Sequence, residues 1–164
     1  MGDDNGFLKG PVTRLFEKVS KWIGLSTNAG PVLASLFMES YETGNRMSSD
    51  DICNATGYSR ANAGLIISQL EALGVIEGRR DYDQTGRGRK RVLYAIDGSF
   101  GDIFSLGVMS LIDKLGAMMK DIHSIEDLRS GRKDNLAPML DEIKKVVKGR
   151  IDSLEKVSSV RVTH

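Results

Sequence analysis

Between Pro11 and Ile23 apolar side chains recur at steps of three and four, at Val12, Leu15, Phe16, Val19, Trp22 and Ile23. That spacing predicts an amphipathic helix, with Pro11 suited to its first position. The stretch "GLSTNAG" interrupts the pattern. A second helix is predicted from near Pro31, burying Val32, Leu33, Leu36 and Phe37, with Tyr41 at the edge of the face and Gly44 as the stop.

Next comes "NRMSSDDICNATGYSRANAGLIISQLEALGVIEG". Ser48 or Ser49 can cap a short helix whose Asp50 and Asp51 favour the positive end of its dipole, with Ile52, Cys53 and Ala55 on the inner face. Gly57 ends it, and Ser59 caps a third helix in which Ala63, Ile66, Ile67, Leu70 and Leu73 fall on one side up to Gly74. Two helices joined by a turn of about three or four residues containing glycine make a helix-turn-helix pattern. The β-branched and aromatic segments "VIEGRRDY" and "KRVLYAI" then flank "DQTGRG", whose glycines allow a tight reversal, so a hairpin is predicted. A helix is expected over 100–123, from Phe104, Val108, Leu111, Leu115, Met118 and Ile122, followed by a short helical turn and a connector. A final helix from Leu136 to Val157 or beyond carries the narrow stripe Leu136, Leu140, Ile143, Val147, Leu154 and Val157, with Arg150 and Ile151 breaking its heptad. A helix this long with one narrow stripe calls for a partner, and a second copy of the chain is the expected one. The fold class is mainly α with a small β-hairpin (α+β).

Charge changes the picture at one place. Residues 79–91, "RRDYDQTGRGRKR", hold Arg79, Arg80, Arg87, Arg89, Lys90 and Arg91 against Asp81 and Asp83, so the hairpin carries +4 on a chain of net +1. A field so localised turns one face toward a polyanion. A solvated protective edge is the competing reading. The glycines of "TGRGR" lack the spacing and the Lys-Ser/Thr ending of a phosphate-binding loop.

Residues 31–96 resemble a winged helix-turn-helix domain, in the details of "MSSDDICNATGYSRANAGLIISQLEALGVIEGRR" most closely that of the MarR superfamily and its GbsR-type and archaeal branches. The resemblance implies 1–26 as an N-terminal arm and helix, 27–97 as the DNA-binding domain and 98–164 as a helical dimerisation region. It implies that helix 59–73 enters the major groove of double-stranded DNA, with Ser59, Arg60 and Asn62 at its exposed opening and Leu65 and Ser68 further along the same face. Arg60 would meet guanine or phosphate, Asn62 adenine, and Ser59 a phosphate or its own helix. Ser68 stands where many relatives carry arginine, which moves expected affinity onto the wing. Relatives often bind a small molecule between the DNA-binding domain and the dimer helices, so an effector is implied, although no residue cluster here identifies it.

Composition narrows the rest. The chain is 164 residues long with 40% hydrophobic and 27% charged residues, and no apolar run reaches the 18 or so needed to span a membrane. The acidic, glycine-rich start is unlike a secretory signal, and a cytoplasmic, nucleoid-associated location is expected. Cys53 is the one cysteine and reads as a packing residue, with redox sensing as the alternative. His123, placed at a helix end, and His164 cannot supply a zinc site or a nucleophilic triad, so neither a metal, a cofactor nor an enzyme is expected. Met109, Met118 and Met119 read as core or dimer fillers. The expectation is a homodimeric transcription regulator, with a nonspecific architectural DNA binder or a protein-docking module as alternatives.

Overall fold

The computed structural model describes residues 4–159, so His164 lies outside the described residues. These residues form six helices and three strands. They divide into two compact units between Phe104 and Ser105.

In the first unit α1 (Asp4–Trp22) packs on α2 (Ala29–Glu42). The approach is close because Gly30 has no side chain: a Cβ there would sit 2.7 Å from the Cα and N of Glu17. Phe16 stacks on Phe37 at 4.8 Å between centroids, and the Trp22 indole N–H donates to the Phe104 carbonyl at 3.1 Å. Pro11, expected at the first helical position, lies inside α1. Its ring removes one helical hydrogen bond, yet Leu8 is in phase with Val12 and Leu15 and extends the apolar stripe back by a turn.

A two-residue strand β1 (Met47–Ser48) leads into α3 (Ser49–Thr56), and α4 (Arg60–Ala72) follows. Ser48 is the cap of α3, in a reciprocal box with Asp51: its hydroxyl accepts the Asp51 N–H at 3.2 Å, and its own N–H donates to the Asp51 carboxylate at 2.8 Å. Gly57 and Gly74 close α3 and α4 with φ of 74° and 71°, a region costly for residues that carry a Cβ. Leu33, Leu36, Ile52, Leu70 and Val75 are fully buried between these helices and the sheet, each worth about 1.5–3 kcal/mol over exposure.

Strands β2 (Ile76–Arg80) and β3 (Val92–Ile96) pair antiparallel, from Ile76 opposite Ile96 to Arg80 opposite Val92. The predicted hairpin is present, with two differences. Its connection runs over residues 81–91 instead of the tight reversal expected at "DQTGRG", and β1 adds an edge strand, Met47 opposite Tyr94 and Ser48 opposite Leu93. The sheet order is therefore β1-β3-β2, and the fold is α+β, mostly helical with a small antiparallel sheet.

Helix α5 (Phe100–Arg129) begins in the first unit and continues through the second. It runs past His123, where a helix end was expected, because no proline or glycine interrupts 117–130 and His123 and Glu126 face each other one turn apart at 3.4 Å. His123 is thus an exposed mid-helix residue. In the second unit α6 (Ala137–Ser159) folds back beside α5, Lys144 donating to both oxygens of Glu126 at 3.1 and 3.2 Å. Leu136 precedes α6 by one residue. The stripe expected to dimerise divides: Leu140 and Val147 are buried within the single chain, Leu154 is half-buried, and Leu136, Ile143 and Val157 are exposed. Met139 and Val146, outside that stripe, are exposed as well.

Candidate nucleic-acid interface

Helix α4 buries one face and leaves the other open. Ala63, Ile66, Ile67 and Leu70 are buried, while Arg60, Leu65 and Ser68 are exposed and Asn62 is half-buried. Ser59 is spent as the cap, its hydroxyl accepting the Asn62 N–H at 3.2 Å. Arg60 is the one lysine or arginine of α4, and it lies 3.0 Å from Asp50 at the start of α3. Both partners are exposed, so the pair is worth about 0–1 kcal/mol and yields readily to a stronger anion. Leu65, 61% exposed, is the large apolar side chain of this outer face.

The chain passes from α4 into the wing through a stapled corner. The Val75 N–H donates to the Leu70 carbonyl at 3.0 Å, and the Val75 carbonyl accepts the Asp97 N–H at 2.9 Å. The far end of the wing has no apolar core and is built on Asp81, which is buried. Its backbone N–H donates to the Arg91 carbonyl at 2.8 Å, and its carboxylate accepts Arg91 Nε at 2.7 Å and the Asp83 N–H at 3.2 Å. Gln84 adds a second tie, its side-chain oxygen accepting the Arg91 N–H at 2.8 Å and its carbonyl accepting Lys90 Nζ. The Arg91 guanidinium holds the Asp81 carboxyl below the usual carboxylate range, and Asp81, with Asp51 adding a smaller field, pushes Arg91 up.

The six wing cations therefore split into two classes. Arg79 pairs with Glu77 at 2.8 Å, Lys90 bonds a carbonyl and Arg91 bonds Asp81. Glu77 is itself bonded by Arg46, which together with Arg79 holds its carboxyl low. The side chains of Arg80, Arg87 and Arg89 are exposed and make no hydrogen bond or ion pair with a described residue. From the sequence Asp81 entered only as a negative charge set against the wing cations, and Gln84 and Glu77 were not singled out. The signal for Asp81 was the "DYD" start of the loop, since aspartate readily accepts the N–H two residues on.

Two further features belong to this unit. An apolar cavity of about 450 Å³ opens between α1, α2 and the start of α5, lined by Leu8, Val12, Leu15, Phe37, Met38 and Phe100 among others. Cys53 is half-buried with a free thiol. Among the described residues no group of three or more His, Cys, Asp or Glu could hold a metal, and no helix is long and apolar enough to cross a membrane.

No protein-family model matches the chain, and no curated protein sequence matches it. Solved structures do. One described as a transcriptional regulator shares 14% identity over 95% of this chain and 99% of its own, with a TM-score of 0.64. A mutant of S. aureus MepR bound to an oligodeoxyribonucleotide shares 13% over 90% of this chain and 93% of its own, at 0.44. A MarR family transcription regulator shares 13% over 93% and 88%, at 0.41. The first of these likenesses shows the fold alone, a mostly helical winged-helix arrangement with a small antiparallel sheet.

Proposed function

We propose that the chain is a homodimeric, sequence-specific regulator of transcription of the MarR type, closest to its GbsR-type branch, that binds double-stranded DNA in the cytoplasm and represses by occupying a promoter. The observation that carries this reading is the split among the wing cations: Arg79, Lys90 and Arg91 are spent pairing on the strand or holding up a polar loop, and Arg80, Arg87 and Arg89 are left open to solvent. An edge that needed charge only for solubility would not require an internal scaffold to present it.

In the proposed mode the open face of α4 enters the major groove. Asn62 reads an adenine edge, Leu65 packs on a thymine methyl, and Arg60 exchanges Asp50 for guanine or phosphate. Ser68 lies further along the same face, and the wing arginines hold the flanking backbone. Two-fold symmetry places a second α4 one helical turn away. The exposed apolar residues Ile143 and Val157 of α6, with Leu136 just before it, are the part of the terminal stripe available to a second copy, whereas Leu140 and Val147 support the single chain. An effector, if the cavity beside α1 holds one, is an apolar molecule, because its walls are almost wholly hydrocarbon.

A nonspecific architectural binder is the second reading, favoured by one observation: α4 carries a single cation, already paired. Fluorescence anisotropy with a duplex from upstream of the gene and with a scrambled duplex, over a salt series, separates the two. A regulator prefers the native duplex, an architectural protein binds both alike with the same steep salt dependence, and binding to neither removes the DNA reading altogether.

A further inference from the structure

At the root of the wing lies a second cleft, of about 410 Å³, within the roughly 300–1,000 Å³ of small-molecule sites. It differs from the apolar cavity in kind. Glu39 of α2, Asn45 and Arg46 of the following loop, Asp51 of α3 and Arg91 of the wing face it, over an apolar floor of Met47 and Leu93.

Much of the hydrogen-bonding capacity here is spent, and what remains has a definite pattern. Arg46 is committed to Glu77 and to the carbonyls of Glu77 and Leu93, both at 3.4 Å. Arg91 uses Nε on Asp81, and its two terminal nitrogens bond no described residue. Asp51 gives one oxygen, Oδ2, to the N–H and hydroxyl of Ser48, which also holds its carboxyl below the usual range, and leaves Oδ1 unused. Glu39 accepts the Thr43 hydroxyl at 2.7 Å on Oε1 and leaves Oε2 unused. The cleft therefore offers an open guanidinium fork and two open carboxylate oxygens, on a charge-balanced wall of two arginines and two acids.

We propose that this cleft binds a small zwitterion of the α-amino-acid type. Its carboxylate takes the terminal nitrogens of Arg91 in a charge-assisted fork, and its ammonium lies between Glu39 and Asp51. The side chain rests on Met47 and Leu93. A simple anion would meet the two carboxylates and a simple amine the two guanidiniums, so only a ligand bearing both charges is matched throughout. Because Arg91 also closes the wing through its N–H, its carbonyl and Nε, occupancy ties the loop 81–91 to α2 and α3. The site does not depend on the DNA reading.

The test is calorimetric titration of the full chain with each standard amino acid, with propionate and ethylamine as single-charge controls. At least one amino acid binds with Kd below about 1 mM, and both controls bind at least about tenfold more weakly. Glu39→Gln, which keeps an acceptor for Thr43 and so the helix end, weakens the amino acid about tenfold, and amide exchange across 81–91 slows on binding to the parent chain. Absence of amino-acid binding at that level, or binding indifferent to Glu39→Gln, overturns the assignment.

Discussion

Helix α4 and the wing meet at Val75 yet are held by opposite means. α4 is set by apolar burial: Ala63, Ile66, Ile67 and Leu70 anchor it, and its outer face carries almost no charge. The wing loop has little to bury and is set by a polar lattice on Asp81 and Gln84, which consumes two of its cations while Arg80, Arg87 and Arg89 stay open. Rigidity from hydrocarbon leaves a surface free for shape and hydrogen bonding, whereas rigidity from charge pairs leaves an excess of charge at the tip. In the proposed mode the first selects sequence and the second supplies affinity.

The largest effect expected is on the charged side. Replacing Arg80, Arg87 and Arg89 together with Ala removes six open cations from the proposed dimer, and at about −0.9 per phosphate the slope of log K against log salt flattens by about 5. Arg79→Ala, which removes a cation already paired, changes that slope by less than about 1. Equal effects from the two would erase the division between open and structural cations. On the apolar side, Gly30→Ala drives a methyl into the backbone of α1 at Glu17 and lowers unfolding free energy by about 1–3 kcal/mol in a denaturant titration, without changing the exchange protection of 81–91. Asp81→Asn does the reverse: the wing amides lose protection while the melting temperature moves little.

Asn62→Ala leaves stability and salt slope alone and costs about 1–3 kcal/mol of preference at a single base position in a binding-site selection. The smallest effect is with pH. Asp51, Asp81 and Glu77 all have folded pKa values below their unfolded ones, so the stability they contribute is present above about pH 4–5 and is lost as pH falls through the lower folded values. Wing protection should follow that acid limb more closely than α4 does, and loss of both together would show one cooperative unit.

The helix-turn-helix was legible because its signals are local. Ser48, Gly57, Ser59 and Gly74 each act within a turn of their own position, and the apolar spacing of α4 is unbroken. What escaped depends on distant partners. Strand β1 is two residues long and exists only through β3, some forty-five positions on. The wing cations read as one patch because charge can be counted from a sequence, while the closure of Asp81 on Arg91 requires knowing the path of the loop between them. The dimer stripe likewise could not reveal that Leu140 and Val147 were already covered inside one chain.

Ser48 occupies two structures at once, opposite Leu93 at the sheet edge and at the cap of α3. No spacer separates β1, the edge strand paired with the wing's β3, from the helix that braces α4, so a strain on the wing is delivered undamped to the first turn of α3. A protein built this way has no independent sensor and reader: pulling on the charged tip is already a question put to the helix bundle, and only a one-residue insertion after Ser48 would let the two answer separately.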